Sequence, residues 1–321
     1  MKPLHPFTLG AGLASPGGRR GKLSILIFHR VLERPDPLLS GLPDVARFRW
    51  QMKLLADHFR VLPLREAARR LQDGSLPARA ACITFDDGYA DNYTTALPAL
   101  QSFGLPATFF VATAFLDGGR MFNDTLIELA RRLPEGRHDF GDEGLGTIDI
   151  RTLADRRALI GKLIGHFKYQ PPAQRLAAAE ALARRFRVDL PDDLMMSTDQ
   201  LRALHRSPDV EIGGHTRSHP ILTRLDDDEA LDEIRAGKER LETLLEAPVR
   251  SFAYPNGRPE KDYADRHAQM VRDCGFELAV STAPVAAAGR HDPFQLPRYT
   301  PWDNTPTRFM LRMLRTLAGA H

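Results

Sequence analysis

Six short apolar runs, separated by longer segments with helical periodicity, constrain the fold of this chain most strongly. The runs lie at residues 23–28, 80–85, 107–111, 210–213, 251–254 and 277–281. Helices are predicted between them, at residues 46–60, 64–71, 90–103, 226–246 and 260–274, where apolar residues recur at steps of three and four, as at Met52, Leu55 and Phe59. Alternating strands and helices favour parallel strands and an α/β fold over an all-α or all-β one.

A different pattern occupies residues 122–205, which are rich in Arg, Ala and Leu with helical periodicity. Pro171 and Pro172 interrupt this segment, and Ser197 with Gln200 forms a capping-box pattern that predicts a helix start. Because predicted strands flank the segment on both sides, we expect a helical insertion in one barrel-like domain. Such an insertion could cover the site as a lid, bind a polymer or mediate assembly.

The first twenty residues are rich in Gly, Pro and Ser, which predicts a flexible tail at 1–20 ahead of one folded domain at 21–321. The first apolar run, residues 23–28, is too short for the apolar core of a signal peptide or for a membrane span. A cytoplasmic location is therefore expected, and peripheral association with a membrane stays open.

Charge and cysteine content exclude several classes of protein. The formal net charge is only +3 and the basic residues are scattered, so no nucleic-acid partner is expected. The two cysteines, Cys82 and Cys274, lie beside or inside apolar runs. We therefore expect buried thiols rather than a disulfide framework or a Cys-rich metal site.

Two adjacent carboxylates, Asp86 and Asp87, directly follow the second apolar run and precede Gly88. The other acidic runs, at 192–193 and 226–228, fit a loop or a helix start, where the helix dipole favours negative charge. Charges placed directly after a buried strand are costly unless they are paired, bind a metal or face a site. A functional site is favoured here over a structural turn.

Two histidines four positions apart, His215 and His219, follow another predicted strand. In a helical turn, residues four apart project from one face, so both imidazoles could reach one ion. This spacing alone is a weak indication, because the chain has 11 histidines. Together with Asp87 the histidines supply three ligands and leave a fourth position open, which is the pattern of a hydrolytic metal site. Asp86 would then be the general base.

A third strand end carries the turn Tyr-Pro-Asn-Gly at residues 254–257, which turn chemistry alone could also explain. All three features fall at predicted C-terminal ends of strands, where side chains converge in parallel α/β barrels. Tyr254, Pro255 and Asn256 are therefore expected to face the site, with a backbone N–H of the turn stabilising an oxyanion. Tyr89 is expected near the mouth of the same site.

These segments resemble the motifs of the polysaccharide deacetylase family, the NodB-like carbohydrate esterase family 4. Residues 84–88 are similar to its first motif, T-F-D-D-G, and residues 215–219 to its second, H-T-x-S-H, in the family's order. The resemblance implies a distorted (β/α) barrel that hydrolyses N-acetyl groups on the aminosugars of a poly- or oligosaccharide. It also implies a base and three ligands of a divalent ion, most often Zn²⁺: Asp86 as the base, and Asp87, His215 and His219 as the ligands.

Two departures from the family pattern concern the groups around the base. The third motif, F-R-P-P-Y-G, is matched at residues 252–257 except that Ala253 stands where the resemblance implies an Arg that orients the base. Arg298, after the last predicted strand, is the candidate substitute, and an ordinary surface Arg is the alternative. The family's closing strand-and-His segment is missing near the C-terminus. His29, which follows the first apolar run, is the candidate general acid of a circularly permuted barrel, and a structural histidine is the alternative.

The expected partner is an N-acetylated glycan, but two other functions remain open. The chain could hydrolyse another C–N bond in a small amide or ureide, or it could be a catalytically inert carbohydrate-binding relative. The loss of the base-orienting Arg at position 253 is consistent with an inert protein, although the presence of both carboxylates and both histidines argues against it. Four aromatic residues could form a sugar-binding platform or belong to the core: Tyr89, Tyr254, Tyr299 and Trp302.

Overall fold

Parallel strands wrapped by helices form the body of the protein, for which a computed structural model describes residues 5–319, apart from the side chains of residues 172 and 173. The strands are β1 (Lys22–Phe28), β2 (Arg60–Val61), β3 (Ala80–Phe85), β4 (Ala107–Val111), β5 (Gly136–Phe140), β6 (Gly146–Ile150), β7 (Val210–Gly214), β8 (Ser251–Ala253), β9 (Leu278–Val280) and β10 (Ala287–Ala288). The helices are α1 (Pro6–Ala14), α2 (Val45–His58), α3 (Leu64–Asp73), α4 (Leu97–Gln101), α5 (Phe122–Arg132), α6 (Leu153–Phe167), α7 (Pro172–Arg185), α8 (Thr198–His205), α9 (Asp227–Leu245), α10 (Asp265–Asp273) and α11 (Pro306–Ala318).

The main sheet has the strand order β10-β1-β3-β4-β7-β8-β9, with β2 paired to β3. All of its pairings are parallel except the one between β1 and β10. The segment 296–299 joins the two sides of the sheet, since Leu296 pairs in parallel with β9 and Tyr299 pairs in parallel with β1. The sheet therefore curls into a barrel, and the predicted distorted (β/α) barrel is confirmed.

Burial on both faces explains why the main strands are continuous apolar runs rather than alternating ones. Every residue of β3 and β4 is buried. Phe28, Phe85 and Phe109 stack across three neighbouring strands, with ring centroids 5.4 Å apart for the first pair and 4.8 Å for the second. This aromatic stack fixes the ends of β1 and β3 immediately before the residues that form the candidate site.

The insertion has an apolar core of its own, formed by α5, α6 and α7 with the antiparallel hairpin of β5 and β6. The hairpin was not predicted, because only its second strand alternates clearly between polar and apolar residues. At the other end, Leu201 and Leu204 of α8 pack into the core of the barrel. The predicted insertion at 122–205 is thus partly β-structure, and its last helix belongs to the barrel.

The N-terminal segment differs from the flexible tail predicted for residues 1–20. Residues 1–4 lie outside the described part, but α1 packs against α11, and Ala11 is fully buried between them. The hydroxyl of Ser15 donates to the carbonyl of Lys22, 2.9 Å away, which ties the helix to β1. The prediction of a flexible tail rested on the Gly and Pro content of this segment, which does not reveal the apolar face of the helix.

No helix within residues 5–319 is both long enough and apolar enough to cross a bilayer.

Candidate metal centre and active site

One cleft of about 560 Å³ at the C-terminal ends of the barrel strands collects most of the predicted site residues. This placement follows from the parallel topology, because loops after neighbouring parallel strands meet at one end of the barrel. The predicted residues that line the cleft are His29, Asp86, Asp87, His215, His219, Asn256 and Arg298.

The first of these loops has an unusual backbone. Asp87 has a φ of 81° and Gly88 a φ of 90°, both in the left-handed region. A Cβ on Gly88 would lie 2.9 Å from a side-chain carbon of Val111, so only glycine fits there. A non-glycine residue with positive φ costs free energy and is typical of functional sites. The strain turns the chain so that both Asp side chains point into the cleft.

Three side chains converge with the spacing expected of ligands around a tetrahedrally coordinated ion. Oδ1 of Asp87 lies 3.4 Å from Nε2 of His215 and 3.5 Å from Nε2 of His219. Ligand atoms that bind Zn²⁺ at about 2.0–2.1 Å in tetrahedral geometry lie roughly 3.3 Å apart. Among the described residues, this buried Oδ1 has no hydrogen-bond partner, which is costly for a carboxylate unless a cation binds it. The three residues therefore fit a divalent ion.

A backbone carbonyl orients the first histidine. Nδ1 of His215 lies 2.7 Å from the carbonyl oxygen of Ala253, and because a carbonyl only accepts, this nitrogen carries the proton. In the neutral imidazole, Nε2 of His215 therefore carries the free lone pair, and it faces Asp87. Burial lowers the pKa of His219 to about 4, so this second imidazole is neutral at neutral pH and also able to bind a metal.

The loop that carries both histidines is not helical, so the helical turn assumed in the sequence prediction is wrong. Thr216 and His219 have φ values of 63° and 55°, and the backbone N–H of His219 donates to Oγ1 of Thr216 at 3.0 Å. The carboxylate of Glu233 in α9 accepts from the backbone N–H and the hydroxyl of Ser218, each at 2.7 Å. A residue distant in sequence thus sets the loop conformation, and no local pattern indicates it.

Glu233→Gln is expected to weaken metal binding about 10- to 100-fold, the usual effect of losing a group that orients a ligand. The carboxylate of Glu233 accepts one hydrogen bond from Ser218 on each of its two oxygens, whereas a glutamine side chain has only one accepting oxygen. A competition titration with a zinc chelator measures the affinity. Asp232→Asn is the matched control, since Asp232 is exposed and pairs only with Arg217 among the described residues. Equal affinities of the two variants would contradict the positioning role.

Asp86 is held by the predicted substitute, Arg298. Two guanidinium nitrogens of Arg298 donate to the two carboxylate oxygens of Asp86 at 2.7 and 2.8 Å, and Arg298 is fully buried. The hydroxyl of Thr84 and the carbonyl of Ser281 hold the guanidinium at 2.9 and 3.2 Å. Burial alone would raise the pKa of Asp86, but the positive charge of Arg298 and its hydrogen bonds outweigh burial and lower the pKa. The Asp86 carboxylate is therefore ionised at neutral pH.

His29 follows β1 and lines the same cleft. Its backbone carbonyl accepts from the side-chain amide of Asn92 at 2.8 Å, which fixes the chain where β1 ends. The position agrees with the sequence prediction, whereas the role of His29 as general acid stays a prediction.

The described lining of the cleft does not include Tyr89, Tyr254 or Pro255. Tyr254 is fully buried, stacks on Tyr263 at a centroid distance of 3.7 Å, and donates to the carbonyl of Phe294 at 2.9 Å. These three residues support the site from the core rather than facing it. They were predicted to face the site because they flank strand ends in the sequence. The direction of their side chains, however, depends on packing.

Tyr89 belongs instead to a buried polar group behind the site. Its hydroxyl donates to the carboxylate of Asp124 in α5 at 3.1 Å, and the guanidinium of Arg30 lies over its ring at 4.8 Å. Burial raises the pKa of Asp124 to about 7, and the nearby negative charge of Asp87 contributes to the increase. The insertion thus connects to the first motif loop through a titratable hydrogen bond.

Asp124 is expected to make stability depend on pH. An aspartate in the unfolded chain has a pKa of about 3.9, so between pH 4 and 7 the folded state binds the additional proton. The free energy of unfolding should then fall, as pH rises through this range, by roughly 1 kcal/mol per pH unit more in the wild type than in Asp124→Asn. Urea denaturation at pH 5 and pH 7 measures the difference. Parallel pH dependences in the two proteins would contradict the raised pKa.

Comparison with known proteins agrees with this arrangement. The sequence profile of the family described as "Polysaccharide deacetylase" matches residues 73–158 and 168–279, which is more than half of the chain. The chain belongs to the polysaccharide deacetylase family. Both Asp residues and both metal-site histidines of this polysaccharide deacetylase fall inside the matched ranges, whereas His29 and Arg298 fall outside them.

Individual relatives are distant. YxkH of Bacillus subtilis (strain 168), a protein named for the polysaccharide deacetylase family, is 21% identical over 268 residues, which cover 83% of this chain and 67% of YxkH. The poly-β-1,6-N-acetyl-D-glucosamine N-deacetylase of Staphylococcus epidermidis is 30% identical over 116 residues, which cover 32% of this chain and 40% of that protein. The solved structure of the deacetylase PplD of Streptococcus pyogenes in complex with acetate has a TM-score of 0.62 and 19% identity, and the match covers 92% of this chain and 98% of PplD. At this identity, the likeness to PplD shows the fold alone.

Proposed function

We propose that this polysaccharide deacetylase is a metal-dependent hydrolase that removes N-acetyl groups from N-acetylated aminosugars of a poly- or oligosaccharide. The observation that supports this most strongly is an ionised, oriented carboxylate beside the ligand cluster. Oδ2 of Asp86 lies 3.9 Å from Nε2 of His215, while Arg298 holds both of its oxygens. A carboxylate that is ionised and held beside the ligand cluster is placed to take a proton from a water molecule there, as a general base in hydrolysis must.

Each residue of the site has a separate role in the proposed hydrolysis. A divalent ion held by Asp87, His215 and His219 would polarise the acetyl carbonyl and acidify a water molecule when bound. Asp86 takes a proton from the attacking water as its oxygen bonds to the acetyl carbon. His29 donates a proton to the sugar nitrogen as the C–N bond breaks, so that acetate and a free amine leave. A backbone N–H of the turn at residues 254–257 stabilises the oxyanion.

The cleft suits a chain of sugars. Trp302 lies in its wall with 56% of its surface exposed, so it offers a flat apolar face of the kind on which sugar rings pack. Phe122 and Asn123 of the insertion line the cleft opposite the barrel loops. The Staphylococcus epidermidis relative is named for the substrate poly-β-1,6-N-acetyl-D-glucosamine, and an exopolysaccharide or cell-envelope glycan is the substrate class proposed for this chain.

Acetate release from a panel of substrates tests this function. The panel contains β-1,6- and β-1,4-linked N-acetylglucosamine oligomers, N-acetylglucosamine itself, and the small amides acetamide and allantoin. We expect turnover of the oligomers that increases with chain length, and little turnover of the small amides. Preference for the small amides would instead favour hydrolysis of another C–N bond. Absence of turnover on every one of these substrates and on N-acetylated glycans that carry a carboxylate or phosphate, with metal bound, would support the inert carbohydrate-binding alternative.

A further inference from the structure

A buried arginine from the insertion lies where two cavities meet. Arg175, in the first turn of α7, is 6% exposed and lines both the active-site cleft and a second cavity of about 660 Å³. The second cavity lies on the other side of His219, between the insertion and α9. The two cavities share the residues Met121, Phe122, Asn123, Arg175 and His219.

The guanidinium of Arg175 has no carboxylate partner in the described part of the chain. Its nitrogens donate to the carbonyl of Lys168 at 3.2 Å and to that of His219 at 3.5 Å, and its Nε has no partner. The guanidinium carbon lies 4.1 Å from the ring centroid of Phe122. Burial lowers the pKa of this group to about 10, which still leaves it positively charged at neutral pH.

A buried charge that is only partly hydrogen-bonded is costly for folding, and an apolar side chain would avoid that cost. Two other arginines of the cleft show the contrast. Arg298 forms a bidentate pair with Asp86, and Arg312 is paired with Asp303. Arg175 is therefore a buried donor group that no carboxylate within residues 5–319 neutralises.

The other charged residues of the cleft also favour a negatively charged ligand. Lys168 and Arg258 add two positive charges to the wall of the cleft. Its carboxylates are Asp86, which is paired with Arg298, and Asp87, which belongs to the ligand cluster. An acidic molecule would be attracted to this cleft, and a guanidinium matches the planar oxygen geometry of carboxylate and phosphate groups.

We propose that Arg175 binds an anionic group of the substrate, and that the glycan is therefore acidic, with a carboxylate or phosphate close to the acetylated sugar. This inference rests on the proposed deacetylase function. Proximity sets the position of the anion. Because Arg175 contacts the backbone of the metal-site residue His219, the anionic group lies on the acetylated sugar or its immediate neighbour rather than several sugars away.

Steady-state kinetics with three substrates test this inference. They are the neutral methyl glycoside of N-acetylglucosamine, N-acetylglucosamine 1-phosphate, and a disaccharide of glucuronate and N-acetylglucosamine. We expect the wild type to prefer at least one anionic substrate, and Arg175→Gln to raise the KM for that substrate about 10- to 100-fold, as expected for a charge-assisted bidentate contact. The effect on the neutral substrate should be much smaller. The preferred anionic substrate identifies phosphate or carboxylate as the recognised group.

Two further variants separate recognition from a structural role. Arg184→Gln, on the exposed face of the same helix, is the control and should behave as the wild type. Arg175→Lys keeps the charge without the planar fork, so it should retain part of the preference. Equal losses on the neutral and anionic substrates in Arg175→Gln would show that Arg175 only supports the loop of His219, and would overturn the inference.

A binding measurement keeps this inference separate from the proposed function. Calorimetric titration of the metal-loaded variants with inorganic phosphate should show at least 10-fold weaker binding for Arg175→Gln than for Arg184→Gln, as loss of a bidentate charged contact predicts. That result without any deacetylation by the wild type would support the anion site and contradict the proposed function. Deacetylation of neutral glycans together with equal phosphate binding by both variants would support the function and overturn the anion site.

Discussion

Asp86→Asn is expected to reduce kcat for deacetylation by two to four orders of magnitude, the range that general-base catalysis usually contributes. The carboxylate is ionised because the neighbouring Arg298 charge lowers its pKa despite burial. An amide of the same shape keeps the size of the side chain but cannot take a proton from water. The variant should bind metal as the wild type does, because the three ligands are unchanged.

Stability must be separated from catalysis in this test. Asn at position 86 leaves the fully buried Arg298 without its counter-charge, which can destabilise a protein by about 3–5 kcal/mol. Turnover should therefore be expressed per mole of folded, metal-loaded protein. The double variant Asp86→Asn with Arg298→Met removes both charges, so its stability should recover while its turnover stays low. Wild-type turnover in Asp86→Asn would mean that another group is the base.

His215→Ala should weaken metal binding by more than about 100-fold, because loss of a ligand costs more than loss of a group that merely orients one. The change also removes the hydrogen bond to the carbonyl of Ala253 and leaves only His219 beside Asp87. Deacetylation at micromolar zinc should fall in parallel with metal occupancy.

Metal content after dialysis, measured by mass spectrometry, gives the result for His215→Ala independently of activity. His166→Ala is the matched control, since His166 is an exposed histidine of the insertion. If His215→Ala and His166→Ala retained the same amount of zinc, the assignment of His215 as a ligand would be contradicted.

The barrel could be predicted because its strands are buried on both faces. β3 was predicted at residues 80–85 and has those bounds, since a continuous apolar run ends abruptly at two charged residues. The same reasoning located Asp86 and Asp87 at a strand end. Arg298 was identified by a different argument, because Ala253 leaves the base without the cation of the family motif and Arg298 follows the last predicted strand.

Features that depend on distant packing could not be predicted. The loop of His215 and His219 owes its conformation to Glu233, which lies on a helix after the motif. Tyr254 faces the core because Tyr263 stacks on it. Arg175 is one of many arginines in the insertion, and only its burial at the junction of two cavities distinguishes it.

Removal and restoration of metal test the central claim most directly. Wild-type protein is treated with a strong chelator, freed of it by gel filtration, and assayed for acetate release from an N-acetylglucosamine oligomer before and after addition of one equivalent of Zn²⁺. A metal-dependent deacetylase should lose nearly all turnover on chelation and regain it with the added ion. Full turnover in protein shown to contain no bound metal would contradict the proposal that deacetylation depends on a metal ion.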